Sequence, residues 1–559
     1  MRGNFGEPMY EMLKNTAIDV LGVSDEDAAN FAQVVVKNAN KQLSGNLPEI
    51  MKLSRESELN KFIEHAIEQG TNMPFSAMER GVLAAGRMDM QNGLSEIADK
   101  LKIGKPSNGE CDDTLENRGR SKKKILTAVG EIEVHPTRWA CLDGAKQSAY
   151  PLLDFIGLID HEVKINDSTI EIQTIKCTRD AAVSIALACA ENSYETSLEL
   201  LEHLAGWKLN AMTGFRITDS VGSEFVKETP ETIDEFIISA VAENSSENIL
   251  KTRIDEMKNC DNQEEVEEII RKAIIDGPDG VSRSDYTGPT IKVMYVESDG
   301  SGVPGRRNEL LGVKGRQPDG SAKTFEAKIG AVFTMEYTND GRPLLTEKGE
   351  IYRDKQIKYT GTVRKVDDFG PLLFQHAVDN GLESADAVVF LGDGAKWVWN
   401  TQQKYFPNAL TGVDLYHAIE KVGKIVDLLQ FKGRNGTERK VQFKDECIDL
   451  LSHGKINEML DKLNTQPRKN GMENKFDKSK DYFLNNVDRM NYGIFNALGI
   501  FVGSGVIEAG VKVIVGNRMK NAGMHWSKEQ AEKMISLRCA IKNKEYYDTY
   551  IHNPKCNAV

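Results

Sequence analysis

The sequence predicts an α/β fold: a mixed sheet carrying an α-helical insertion, preceded by mainly helical domains. Three observations carry that expectation. Residues 291–430 pass from successive strand-like runs into helix–strand alternation. Residues 415–500 then read as almost entirely helical. Upstream of DGPDGVSRSDYTGP (276–289), a Gly/Pro/Asp/Ser-rich stretch that reads as a domain boundary, the texture is mostly helical. A mixed sheet with helices packed on it buries the apolar faces of such a pattern.

At 559 residues the chain is too long for one small domain, and two to four are expected. A 40% hydrophobic and 28% charged composition is that of a globular protein. No apolar run approaches the roughly 20 residues that span a bilayer, and MRGNFGEPMYEMLKN lacks the apolar core of a signal peptide, so a cytosolic location is expected. Eight cysteines without regular spacing fit reduced thiols better than a disulfide framework. The net charge of −13 speaks mildly against a nucleic-acid partner. Local basic clusters soften that objection: Arg118, Arg120 and Lys122–Lys124; Arg306, Arg307, Lys314 and Arg316; Lys512, Arg518 and Lys520. Each is more often only a solvated face.

The first hundred residues read as polar helices, with Phe31, Val34, Val35 and Ile63 at helical spacing. Residues 105–124 read as a basic loop or linker, and ILTAVGEIEVHPTRWACLDG as a short β-hairpin unit. Helices return from about Ser168. A helix, a turn at Ala205–Gly206 and a second helix capped by Asn210 give either a helix-turn-helix or an ordinary helical hairpin. Residues 226–275 read as a charged bundle pair or an oligomerisation element. In the sheet region the expected order is IKVMYVES ending at Asp299, AKIGAVFTMEYT, EIYRDKQIKYTGTV, a helix over Asp367–Asn380, AVVFLGD, a helix over Trp397–Phe406, and ALTGVD.

Three acids stand out by location. Asp299 precedes Gly300-Ser301-Gly302, Asp393 follows VVFLG and precedes Gly394, and Glu508 sits in GSGVIEAG at the start of a helix running to Met519. Carboxylates beside glycines leave room for a ligand, and hard oxygen donors grouped this way suit Mg2+ or Mn2+. Two such ions serve in-line phosphoryl displacement. The bland alternative is that strand-end aspartates cap helices or close turns. VDLYHA adds Asp414 and His417 at i, i+3 spacing, able to face one pocket. Of Trp397 and Trp399, one is expected in the core and the other free to stack on a base.

The ordered set YVESDGSGVP, LGDGAKWVWN, VDLYHA and YFLNNVDRMNY...GSGVIEAGVKVIVGNRMKNAGMHWS resembles the ISKra-type bacterial insertion-sequence transposases, members of the DDE class distantly similar to the Mutator-like group. The resemblance covers about residues 290–545, more loosely upstream to about 105. It implies a ribonuclease-H-like catalytic core that binds element ends, hydrolyses phosphodiester bonds and joins the freed 3′-hydroxyl to target DNA. It makes Asp299, Asp393 and Glu508 the ligands of two Mg2+ or Mn2+ ions, with Asp414 and His417 auxiliary. Double-stranded DNA would be contacted by Arg306, Arg307, Lys396, Trp397, Arg518, Lys520 and Trp526, by a homodimer or higher oligomer. The upstream zinc ribbon of the family is degenerate: CDDT and CLDG keep only Cys111 and Cys141, His135 is a poor substitute, and no zinc is expected. The expected domains are a helical region 1–104, a ribbon-like hairpin region 105–165, a helix-turn-helix and helical region 166–275, a linker 276–290, a catalytic domain 291–545 with its insertion at about 418–500, and a tail 546–559. A catalytically inactive transposase-derived DNA-binding protein and a stand-alone nuclease are the alternatives.

Overall fold

The computed structural model describes residues 57–69, 73–106, 115–141, 148–166, 169–230, 249–315, 317, 320–353, 356–503 and 505–550. Phe31, Val34, Val35, Cys111 and Arg316 lie outside them. The chain divides into two compact units between Gly157 and Leu158.

In the first unit, helices α1 (Glu58–Gln69) and α2 (Phe75–Lys100) form a hairpin. They meet at Gly81, where an added Cβ would lie 1.9 Å from the Phe62 ring, so only glycine allows the approach. The Asp89 carboxylate on α2 accepts the Glu58 and Leu59 N–H groups, supplying the partners that the first turn of α1 lacks. Strands β1 (Leu115–Arg120) and β4 (Thr137–Cys141) pair antiparallel, as do β2 (Lys123–Thr127) and β3 (Gly130–Val134), and the short helix α3 (Pro151–Ile156) ends the unit. The hairpin expected over 125–144 therefore exists, but part of the expected 105–124 loop is strand β1. Its exposed, polar side chains give no apolar alternation by which to find it. In the basic cluster here, Arg118, Lys122 and Lys124 each pair with a neighbouring glutamate. Both ring nitrogens of His135 are engaged by carboxylates, those of Asp99 and Glu133.

The second unit opens with a hairpin, β5 (Leu158–Asn166) and β6 (Thr169–Thr178), where helix was expected from Ser168. Three helices follow: α4 (Arg179–Glu191), α5 (Tyr194–Ala205) and α6 (Ala211–Ser223). As expected, Gly206 ends α5 with φ +71° and the Asn210 side chain caps α6 by accepting the Thr213 N–H at 2.8 Å. Helix α6 packs Gly214, Ile217, Thr218, Asp219, Val221 and Gly222 inward, while Met212 and Arg216 near its start are exposed. Helices α7 (Ile249–Lys258) and α8 (Gln263–Asp276) come next, and Val266, Ile270 and Ala273 of α8 pack against Ala497. That face of the charged helical pair is thus used within the chain.

The main sheet has five strands: β7 (Thr290–Pro304), β8 (Thr324–Thr338), β9 (Lys358–Thr362), β10 (Ala387–Gly392) and β11 (Leu410–Val413). Their order is β9–β8–β7–β10–β11. The first three form an antiparallel meander, while β10 runs parallel to β7 and β11 parallel to β10. Parallel neighbours need crossovers, and helices α9 (Val366–Asp379) and α10 (Lys396–Tyr405) provide them. Met294, Val296, Val388 and Phe390 point to one face and pack with Phe369, Leu373, Phe374, Val398 and Phe406 from these helices. Side chains alternate, so Tyr295, Glu297 and Asp299 take the opposite face.

Residues 415–503 are helical between loops: α11 (Leu415–Val426), α12 (Gly436–Ser452), α13 (Ile456–Thr465) and α14 (Glu473–Leu484). The chain returns to the sheet as α15 (Gly505–Val511), which widens into a π-helical turn over Lys512–Gly516. Helix α16 (Lys528–Lys542) lies against β9, α4 and α6. From it the buried Arg538 guanidinium donates to the carbonyls of Val513, Ile514 and Ala190, tying the π turn to the end of α4. Among the described residues no helix is long and apolar enough to cross a membrane. Cys177, Cys189, Cys260, Cys447 and Cys539 are free thiols.

Candidate metal centre

Strand register brings three aspartates to one level. Gly392 pairs with Ser298 on β7 and with Val413 on β11, so the next residue on each strand is Asp393, Asp299 or Asp414. The Asp414 N–H donates to the Gly392 carbonyl at 2.9 Å, carrying the ladder one step beyond β11. Asp299 is not at a strand end, as the sequence suggested. Strand β7 runs on to Pro304, with Asp299 opposite Ile329 of β8, and only its parallel pairing with β10 stops at Ser298. Gly300 and Gly302 are ladder residues where a Cβ would press on Glu326 and Thr324.

Part of the capping alternative also holds. One Asp299 oxygen accepts the Gly300 N–H at 2.6 Å, and one Asp393 oxygen accepts the Ala395 N–H at 2.8 Å. Asp414 caps α11 through the Tyr416 and His417 N–H groups. Gly394 has φ +91° and an ideal Cβ position 2.6 Å from the Tyr482 ring, so the turn behind Asp393 is built for glycine. Tyr482 on α14 donates its hydroxyl to the Asp393 carbonyl at 3.0 Å, linking the helical insertion to this turn.

Helix α15 covers the acidic face of β7 and brings in Glu508. The same helix reveals a fifth carboxylate that sequence reading missed. Glu297, two residues before Asp299 and so on the same face, is fully buried. Its Oε2 accepts the Ile507 N–H at 2.8 Å; its Oε1 has no hydrogen-bond partner among the described residues. Burial pushes the Glu297 carboxyl up to about 8, against the Ile507 N–H and Arg353 but with help from Asp414 and Glu508. Period-two alternation within YVESD was the available signal.

A small cavity is lined by Glu297, Ser298, Asp299, Gly392, Asp393, Asp414 and His417. Burial raises the Asp299 carboxyl, and Asp393 and Glu508 raise it further, opposed by the Gly300 N–H and His417. His417 Nδ1 lies 2.5 Å from Asp414 Oδ2. That hydrogen bond, the charge of Asp414 and then those of Asp299 and Asp393 raise the imidazole, against its burial. One ligand atom each from Asp414, His417 and Glu508 lie within 4.8 Å of one another. The auxiliary pair and the third acid are thus one cluster.

No family model matches the chain, and no curated protein does.

Of the residues expected to touch DNA, Arg307, Lys396 and Lys520 are exposed, and Lys520 donates to Ser301 on β7 at 2.8 Å. Arg306 is exposed and held by Gln530. Arg518 and Trp526 are corrections. Arg518 is fully buried: its Nε donates to the Cys189 carbonyl at 2.7 Å, and its guanidinium lies over the Tyr194 and Trp526 rings. Trp526 is buried too, its indole N–H bonded to the Met519 carbonyl. Trp397 packs edge-on against Phe369 at the helix-covered core. Trp399 donates to Asn486 beneath the Arg489 guanidinium, so both tryptophans pack and neither stands free.

Proposed function

We propose that the chain is a DNA transposase of the DDE class, which cleaves phosphodiester bonds and transfers strands on a ribonuclease-H-like core. One observation carries the reading: Asp299, Asp393 and Asp414 stand at one level of three adjacent parallel strands, with Glu508 closing over them from α15. The strand order, with its antiparallel meander followed by two helix-linked parallel strands, supports it.

The residues fit the divalent ions this chemistry uses. The acids sit close enough to raise Asp299 together, and a buried carboxylate oxygen on Glu297 lacks a partner, as a site made to be completed by a cation requires. Asp299, Asp393 and Glu508 would hold Mg2+ or Mn2+. Bound there, the ions supply the Lewis acidity that in-line phosphoryl displacement needs. The chain's own residues do the rest. Tyr482 fixes the turn that aims Asp393. Asp414 holds the His417 ring in one orientation. Lys396 and Lys520, exposed beside Asp393 and Ser301, are placed to meet phosphates.

Purified protein with DNA carrying the element's ends tests the reading. Mg2+-dependent cutting and joining are expected from the wild type, and none from Asp393→Asn or Glu508→Gln. Cutting that survives either substitution refutes the assignment; cutting without joining marks a nuclease, and binding without cutting an inactive descendant.

A further inference from the structure

Beside the acid cluster stands an aromatic ring that the cleavage chemistry leaves unused. Among the described residues of the second unit, Tyr416 is the one aromatic side chain that is exposed, at 63%. Every other described Phe, Trp or Tyr there, Trp397 and Trp399 included, is buried or half-buried. A single exposed ring is common on protein surfaces, so exposure alone decides nothing. What matters is where this one stands.

Tyr416 belongs to the first turn of α11, and its N–H donates to Asp414 Oδ1 at 3.1 Å. The next residue, His417, lines the cavity together with Asp299, Asp393 and Asp414. The ring thus starts within one side chain's length of the carboxylates. It reaches Gly503, where an added Cβ would stand 3.5 Å from the ring carbon Cε2. Gly503 leads into α15, the helix of Glu508, and the Leu415 N–H donates to the Val502 carbonyl at 3.0 Å, fixing the two segments to each other. One edge of the ring is therefore backed by the segments that supply Asp414 and Glu508, and the rest is open to solvent.

We infer that Tyr416 is a stacking platform for an unpaired nucleobase of the strand whose phosphate the cluster engages. This rests on the reading of the cluster as a DNA-cleaving centre. An aromatic face suits such a ligand because every base has a π face, whatever the sequence. Bases inside a duplex show that face only to their neighbours, so a ring at this place takes a base that has left the stack. The platform selects for structure rather than sequence: single-stranded or frayed DNA is held, and a closed duplex gains nothing from it.

The test uses the full chain in Ca2+ and follows the fluorescence anisotropy of a labelled oligothymidylate of about 20 nucleotides, beside a duplex of the same length. Tyr416→Ala should weaken single-strand binding at least about fivefold, the low end of the loss on removing one stacked aromatic. The slope of log affinity against log salt should stay as it is, because no phosphate contact goes. Tyr416→Phe keeps the ring and should bind within about twofold of the wild type, whereas Tyr416→Leu, apolar without a π face, should follow the alanine variant. The side chain is exposed, so all three should keep the wild-type urea midpoint. Unchanged single-strand affinity in Tyr416→Ala, an equal loss in Tyr416→Phe, full affinity in Tyr416→Leu, or an equal loss on the duplex overturns the platform and leaves the cleavage reading standing. So does a wild type that binds only the duplex. A wild type that binds neither DNA removes the DNA reading and the platform with it.

Discussion

Replacing Glu297 by glutamine should stabilise the metal-free protein, and by more as the pH rises. The carboxyl titrates at 4.5 in its ordinary state and at about 8 in the folded chain. Between those values the folded protein keeps a proton that the unfolded chain has released. Stability therefore falls with rising pH across this window, by about 1.4 kcal/mol per unit from this one group, and levels off above pH 8. At pH 7 the accumulated cost is about 3 kcal/mol, a ceiling because the neighbouring acids titrate together with it. Glutamine keeps the shape, can accept the Ile507 N–H, and has nothing to ionise. Urea unfolding of both chains in EDTA at pH 5.5, 7 and 8.5 reads the difference directly. The advantage of Glu297→Gln should be about 1 kcal/mol at pH 5.5, about 2–3 at pH 7, and greatest at pH 8.5. A difference independent of pH, or a glutamine variant less stable at pH 8.5, would refute the account of a buried, unpartnered acid.

Two further substitutions test the geometry. Gly394→Ala must hold a side chain at φ +91° against the Tyr482 ring; a loss of about 2 kcal/mol in urea unfolding is expected, together with strand-cleavage activity reduced beyond what that loss explains. Wild-type stability and activity would count against the tight turn. Arg518→Met should cost about 2 kcal/mol of stability while leaving the salt dependence of DNA binding unchanged, because the guanidinium is buried; Lys396→Ala should do the reverse, reducing the slope of log affinity against log salt by about 1. Equal effects of the two on the salt slope would show Arg518 to be reachable by phosphate.

The sheet was legible because its strands are buried on both faces and write themselves as apolar runs: VVFLG and IKVMYV needed no alternation to be seen. Helix α6 was legible from its cap, Asn210, and from Gly206 before it. Strand β1 and the β5–β6 hairpin were not, since an exposed strand such as LENRGR carries no burial pattern. Asp299, Asp393 and Glu508 could be picked from glycine-flanked positions, but their convergence with His417 depends on register, which no local pattern states. Glu297 was hidden among apolar neighbours. Arg518 misled for the opposite reason: beside Lys520 it reads as surface charge, while the fold turns it toward the carbonyl end of α4, between two aromatic rings.

The π turn after α15 bears on when the cluster comes into being. Its freed carbonyls at Val513 and Ile514 are met by Arg538, a residue that leaves the ribosome after Glu508 and after every aspartate of the sheet. During synthesis the strands with Asp299, Asp393 and Asp414 can pair while the anchor of α15 is still missing. Until α16 arrives to dock on β9 and bind those carbonyls, α15 has only its packing on β7 and β8 and the Ile507 N–H bond to Glu297 to hold it. The seat of Glu508 is therefore finished only when α16, translated after it, has docked, so the acidic cluster is completed late in synthesis.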